Sequence, residues 1–121
     1  MDIRANLEAP VTIRPLERHL VSTGLFIELP GGYEVQIRPR SGMAIRHGIT
    51  CLNSPGTVDS DYRGELKVIL INLSDINQVI HHGDRIAQMI FAKTERADLI
   101  LVQQLNDSLR GEGGFGHTGI K

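Results

Sequence analysis

Between Gly56 and Gly64 the chain reads Gly-Thr-Val-Asp-Ser-Asp-Tyr-Arg-Gly, so nine residues hold an apolar-flanked carboxylate, a phenol ring and a guanidinium. A carboxylate at Asp59, partly desolvated beside Val58 and ionised at neutral pH, suits a general base that takes a proton from a water about 3 Å away. A second group lies far downstream in Arg110-Gly-Glu-Gly-Gly-Phe-Gly-His-Thr-Gly119, where a cation, exposed backbone N–H groups and one aromatic ring share a stretch too glycine-rich to build a core. The first group fits carboxylate chemistry and the second fits the grip of an anion. Together they point to a small-molecule site.

Each of these residues also has a plainer role open to it. Asp59 and Asp61 are residues that accept local backbone N–H bonds in turns, and Tyr62 is of a type that packs on cores. Asn53 offers a donor and an acceptor to a pyrimidine edge, but before Ser54-Pro55-Gly56 it is equally a turn former. Pro39-Arg40-Ser41-Gly42 supplies a forked cation, a hydroxyl and a close backbone N–H, three donors for phosphate oxygens, and also reads as an ordinary turn. Gln88 is the odd polar residue in the run Ile86 to Phe91; it reaches a phosphate oxygen or water, or faces solvent. Phe115 has no core to join, so stacking on a base, worth ~1–3 kcal/mol, is the better use of its ring. The tail lacks the Gly-Lys-Ser/Thr ending of a Walker sequence, which excludes a P-loop ATPase.

The elements that must position these residues are strands. Short Val/Ile/Leu-rich runs at Leu25 to Leu29, Tyr33 to Ile37, Leu66 to Ile71 and Arg85 to Phe91 are separated by turn signals at Pro30-Gly31-Gly32, Ser54-Pro55-Gly56, Asp75 to Asn77 and His82-Gly83-Asp84. That spacing predicts an all-β sandwich or barrel, with residues 56–64 on a short hairpin. Helical periodicity is nearly absent; around Ser41 to His47 it predicts one turn at most. At 121 residues the chain is a single domain, and a net charge of -1 gives no general attraction to nucleic acid. One cysteine, Cys51, excludes an intrachain disulfide and reads as a buried thiol. No window approaches membrane-spanning length, and the expected setting is cytoplasmic, with no membrane partner. The histidines, His81-His82 included, lack a third ligand at zinc-site spacing.

The tail of 12 residues from Arg110 to Lys121 spans roughly 40 Å when extended, comparable to the ~35 Å diameter of such a domain, so it reaches a neighbouring subunit. Its five glycines from Gly111 to Gly119 make it costly to order alone. The expected organisation is a domain over residues 1–109 and a flexible arm over 110–121 that closes on bound ligand.

Four segments, Pro39-Arg40-Ser41-Gly42, Gly56 to Gly64, Gly83-Asp84-Arg85-Ile86-Ala87-Gln88 and Arg110 to Gly119, resemble in order four of the five motifs of the trimeric deoxyuridine triphosphatase (dUTPase) family. The resemblance covers nearly the whole chain. It implies a jelly-roll-like distorted β-barrel and hydrolysis of dUTP to dUMP and pyrophosphate, which keeps uracil out of DNA and supplies dUMP for thymidylate synthesis. It implies that Asp59 deprotonates the attacking water, that Tyr62 lies beneath the deoxyribose and leaves no room for a 2′-hydroxyl, and that Asn53, Thr57, Val58 and Lys67 belong to the substrate site. Arg40, Ser41, Gly42, Gln88 and Arg110 with Gly113, Gly114, Phe115, Gly116 and Thr118 then hold the triphosphate and base, His117 being a tolerated variation. Asp61, Arg63 and Glu65 remain turn and ion-pair residues. Met1-Asp2-Ile3-Arg4 matches only the second half of the remaining motif, where Asp2 holds water near Mg²⁺; the missing strand before it leaves Asp2 open to fraying and the sheet short of a partner. Active sites shared between subunits imply a homotrimer. Two rivals stand beside this reading. A dCTP deaminase shares the fold but needs a glutamate near the pyrimidine amino group, and Thr50 to Asp61 contains none. A non-catalytic nucleotide sensor would have no use for Asp59.

Overall fold

The computed structural model describes residues 1–114. Nine strands and one helix follow in the order β1 (Asp2–Arg4), β2 (Val11–Ile13), β3 (Arg18–Leu25), β4 (Tyr33–Arg38), α1 (Ser41–His47), β5 (Ile49–Cys51), β6 (Gly56–Val58), β7 (Leu66–Asn72), β8 (Gln78–Ile80) and β9 (Arg85–Lys93). They make a four-stranded sheet β1-β9-β4-β6, a three-stranded sheet β3-β7-β5 and a small pair β2-β8, all antiparallel. The fold is all-β and jelly-roll-like, with open sheets in place of a closed barrel.

Period-two alternation drives this arrangement. In β7 Leu66, Val68, Leu70 and Asn72 are buried while Lys67 faces out, and in β4 Val35 and Ile37 are buried between more exposed neighbours. Ile3, Ile13, Val21, Ile49, Ile80, Ile86 and Met89 join them in one core, so all three sheets bury their apolar faces together. Full burial of each such side chain stabilises the fold by about 1.5–3 kcal/mol. Asn72 is polar yet buried, and its amide is fully employed: Nδ2 donates to the carbonyls of Ile13 (2.9 Å) and Ile76 (2.7 Å), while Oδ1 accepts from the Ser74 N–H (2.9 Å) and hydroxyl (2.7 Å). That network ties the end of β7 to β2 and to the turn before β8.

Several sequence expectations are corrected. The run Leu25 to Leu29 is not a strand: β3 lies upstream at Arg18–Leu25, and its register shifts between Ser22 and Leu25 around Gly24, whose φ is 69°. Pairing stops there because Leu25 already faces Leu66, the first residue of β7, and the partner backbone runs out. The helix is also longer than one turn. Its seven residues have no buried side chain, which explains why no apolar period announced it. Its ends hold it instead: Gly48 caps it at φ 63°, donating its N–H to Ala44 O (3.1 Å), and a Cβ there would lie 2.8 Å from the Ser74 nitrogen.

Residues 56–64 are not a hairpin either. β6 pairs with β4 in the larger sheet, whereas β7 pairs with β3 and β5 in the other. The chain leaves one sheet after Cys51, contributes one short strand to the opposite sheet, and returns through residues 59–65. Asp2 is not frayed: in β1 it pairs with Gln88 of β9, and the preceding Met1 carbonyl accepts the Met89 N–H at 2.8 Å. Cys51 is buried as expected, and burial pushes its thiol up to about 11.

Candidate active site

The return segment from β6 to β7 is a turn knit by its own polar groups. The Tyr62 N–H donates to Asp59 O (3.2 Å), and Arg63 Nη1 donates to the carbonyls of Ser60 (2.7 Å) and Tyr62 (3.0 Å) while Nη2 approaches Glu28 Oε1 at 3.5 Å. Asp61 is exposed, and the turn and ion-pair roles expected of this stretch are carried visibly by Arg63. The phenol of Tyr62 donates to Glu65 O at 2.9 Å, which lays the ring over Gly64; a Cβ on that glycine would fall on the ring and its hydroxyl.

Beside this turn opens a cleft of about 310 Å³, at the lower end of the ~300–1,000 Å³ range of small-ligand pockets. It brings together Asn53, Thr57, Val58, Asp59, Tyr62 and Lys67, six of the residues singled out in the sequence. Asn53 is seated against Gly56, where an added Cβ would stand 3.0 Å from its Nδ2, so the glycine permits the close approach. Tyr62 leaves 45% of its surface open, and Asp59 is exposed, not partly desolvated as expected beside Val58. Among the described residues of a single chain the carboxylate stays open to solvent.

Sequence reading missed two parts of this cleft. Leu20 of β3 and Ile69 of β7 give it an apolar wall, and Glu65 places a carboxylate at its edge. Glu65 Oε1 accepts the N–H groups of Gly24 (2.9 Å) and Thr23 (3.2 Å), and Oε2 faces Lys67 Nζ at 3.4 Å. These contacts, the Gly24 N–H foremost, hold its carboxyl below the ordinary 4.5. The alternation of β3 is the only signal for Leu20; for Glu65 the ion-pair role expected of it is met by Lys67, while its bonds to Thr23 and Gly24, more than 40 positions away, leave no local trace.

Arg40, Gln88 and Asp2 form a second group elsewhere. Asp2 accepts from Gln88 Nε2 (3.4 Å) and Arg85 Nη1 (3.3 Å) and lies 3.7 Å from Arg40 Nε. Its carboxyl is lowered, by the Gln88 amide above all and by the two guanidiniums. Arg40 also donates to Arg85 O (2.9 Å), which fixes it at the start of α1 next to exposed Ser41 and Gly42. Arg40 and Arg85 line a cleft of about 380 Å³ that shares no lining residue with the first.

Arg110 belongs to neither cleft. It turns back on its own segment, Nε donating to Gly113 O at 2.6 Å, with Gly114 next in line. Phe115, Gly116 and Thr118, with His117, lie outside the described residues. Among the described residues no group of three His, Cys, Asp or Glu gathers to cage a metal. Asp2 is a lone carboxylate already engaged by two arginines, so a hard cation beside it would have to take most of its ligands from phosphate oxygens and water. No helix is long and apolar enough to cross a membrane among the described residues.

The chain is similar over 98% of its length to curated proteins named deoxyuridine 5'-triphosphate nucleotidohydrolase. The relative from Fusobacterium nucleatum is 56% identical with 82% of it covered, that from Cytophaga hutchinsonii 57% with 77% covered, and that from Finegoldia magna 54% with 83% covered. The fold matches the solved dUTPase of Staphylococcus bacteriophage 80alpha with dUpNHpp at TM-score 0.83 and 22% identity, covering 98% of this chain and 85% of that one. It also matches the dUTPase of phage phi11 of S. aureus, described as coordinating a structural Mg(II) ion, at TM-score 0.76 and 20% identity, covering 88% and 84%. The dUTPase family model matches residues 2–119, and with relatives above half identity along nearly all of its length this chain belongs to the dUTPase family.

Proposed function

We propose that the protein hydrolyses dUTP to dUMP and pyrophosphate. The observation that carries this reading is the convergence of Asn53, Thr57, Asp59 and Tyr62 on one cleft in a chain 54–57% identical to enzymes named for that reaction. Asn53 pairs with the uracil edge, and the Tyr62 ring lies under the deoxyribose, so a 2′-hydroxyl meets carbon and loses its hydration. Asp59 takes one proton from a water as its oxygen attacks the α-phosphorus in line; the bond from that phosphorus to the bridging oxygen breaks, and its electron pair departs on pyrophosphate. Bound Mg²⁺ would supply charge neutralisation at the phosphates, and Asp2 is the residue that would hold it, through one of its waters. Arg40, Ser41, Gly42, Gln88 and Arg110 grip the phosphates, with Gly113, Gly114, Gly116 and Thr118 around them and Phe115 stacked on the base.

These groups act together in a homotrimer. Supporting this, the Asp59 cleft, the Arg40 group and Arg110 stand apart in one protomer. Large apolar side chains on the strandless stretch after Lys93 also stand in solvent, Leu99 at 95% and Leu101 at 100% exposure, and a second copy would cover them. Residues 110–121 then serve as an arm closing a neighbour's site, beyond a domain over 1–109. Its place is the cytoplasm, among free nucleotides.

Pyrophosphate release from dUTP, dTTP, UTP and dCTP, with and without Mg²⁺, tests the reading: turnover of dUTP far above the others in Mg²⁺ is expected, and binding without release would make the protein a sensor. The deaminase alternative now has a glutamate at the cleft, Glu65. Its two carboxylate oxygens, however, are already committed to the Thr23 and Gly24 N–H groups and to Lys67. Absence of ammonia from dCTP is the expected outcome.

A further inference from the structure

Resting on the dUTP reading, we infer that Glu65 is a positioning residue for sugar selection, a strut that fixes Tyr62 and Lys67 against the β3 bulge. Its side chain bridges two parts of the fold: Oε1 takes the N–H groups of Gly24 and Thr23, which the register shift of β3 leaves without β7 partners, and Oε2 holds the Lys67 ammonium at the cleft wall. Its main-chain carbonyl receives the Tyr62 hydroxyl. The phenol is therefore anchored to a residue whose own place is set by sheet β3-β7-β5, while the turn that carries Tyr62 starts from the opposite sheet. Thr23 strengthens the same anchor from beneath, its buried hydroxyl donating to Leu66 O at 2.5 Å. Two charge-assisted N–H bonds and a cation on one carboxylate make a stiff joint. Selection against a 2′-hydroxyl depends on a ring that does not yield, because discrimination by shape fails if the wall moves by a fraction of an ångström.

The test uses the full chain and two variants, Glu65→Ala and Glu65→Gln, with kcat and KM measured separately for dUTP and UTP. Glu65→Ala removes the strut and is expected to lower the ratio of kcat/KM for dUTP over UTP by about tenfold, mainly through a raised KM for dUTP. Glu65→Gln keeps an oxygen for the Gly24 and Thr23 N–H groups and is expected to restore most of that ratio. Melting temperature monitors folding independently. Wild-type preference for dUTP in both variants, at whatever kcat, overturns the inference and leaves the dUTP reading standing. A wild-type protein that does not turn over dUTP overturns both.

Discussion

The turn at residues 59–65 and the stretch from Thr94 to Gly114 both carry candidate site residues, yet they are built in opposite ways. The turn continues from β6 of one sheet, is knit by its own hydrogen bonds, and is tied through the Glu65 carboxylate to Thr23 and Gly24 of the other. The later stretch contains no strand or helix, and its leucines face outward. A single chain brings Asp59, Asn53 and Tyr62 to one cleft, because the segments that carry them are joined to strands of its own core. Arg110, by contrast, lies outside that cleft among the described residues. Under the proposed function, recognition of the nucleoside would fall to the protomer and closure around the phosphates to the assembly.

The largest effect should come from the turn. Asp59→Asn keeps the shape of the side chain but removes the proton acceptor, and turnover should fall by ~10²–10⁴-fold while dUTP affinity, measured by calorimetry, stays near that of the parent. Equal loss of affinity would move Asp59 from the water to ground-state binding. Deleting residues 111–121 should come next: with phosphate and stacking contacts of ~1–3 kcal/mol removed, kcat/KM should drop by ~10- to 100-fold, while size-exclusion chromatography still reports a folded oligomer. Full activity after truncation would break the division of labour between turn and tail.

Gly64→Ala should have a smaller effect on the same side of the comparison. Its Cβ forces the Tyr62 ring off its hydrogen bond to Glu65, so UTP discrimination should weaken by several-fold with little change in melting temperature. Two milder measurements sharpen the picture of the core beneath. Cys51, buried with its thiol near 11, should resist iodoacetamide at pH 8 until denaturant is added. Glu65 and Asp2 both titrate lower when folded, so the stability they lend is complete above the ordinary carboxylate range and disappears as pH falls through their lowered values. The acid side of the melting-temperature profile below about pH 4.5 should therefore flatten in Glu65→Gln.

Much of this was legible in the sequence where a pattern is local. Short Val/Ile/Leu-rich runs between turn signals located β4, β7 and β9, and the density of chemistry between Gly56 and Gly64 located the cleft. Strands of three residues, such as β1, β5 and β8, are too short for a period to show. The helix at Ser41–His47 buries nothing and so left no stripe. The sheet change between β6 and β7 was hidden because two extended runs across a glycine-bounded turn look the same whether they pair with each other or with different neighbours. Glu65 was undervalued for a related reason: what it holds, Thr23 and Gly24, comes from a distant strand.

The excursion of β6 out of one layer and back from the other has an evolutionary corollary. Because the loop proposed to read sugar and base is suspended between the two layers, a change that slackens either of them should reach the ligand as well. Fidelity toward deoxyuridine and robustness of the scaffold would then be inherited together, and substitutions in the interior should register as errors of discrimination as well as losses of stability.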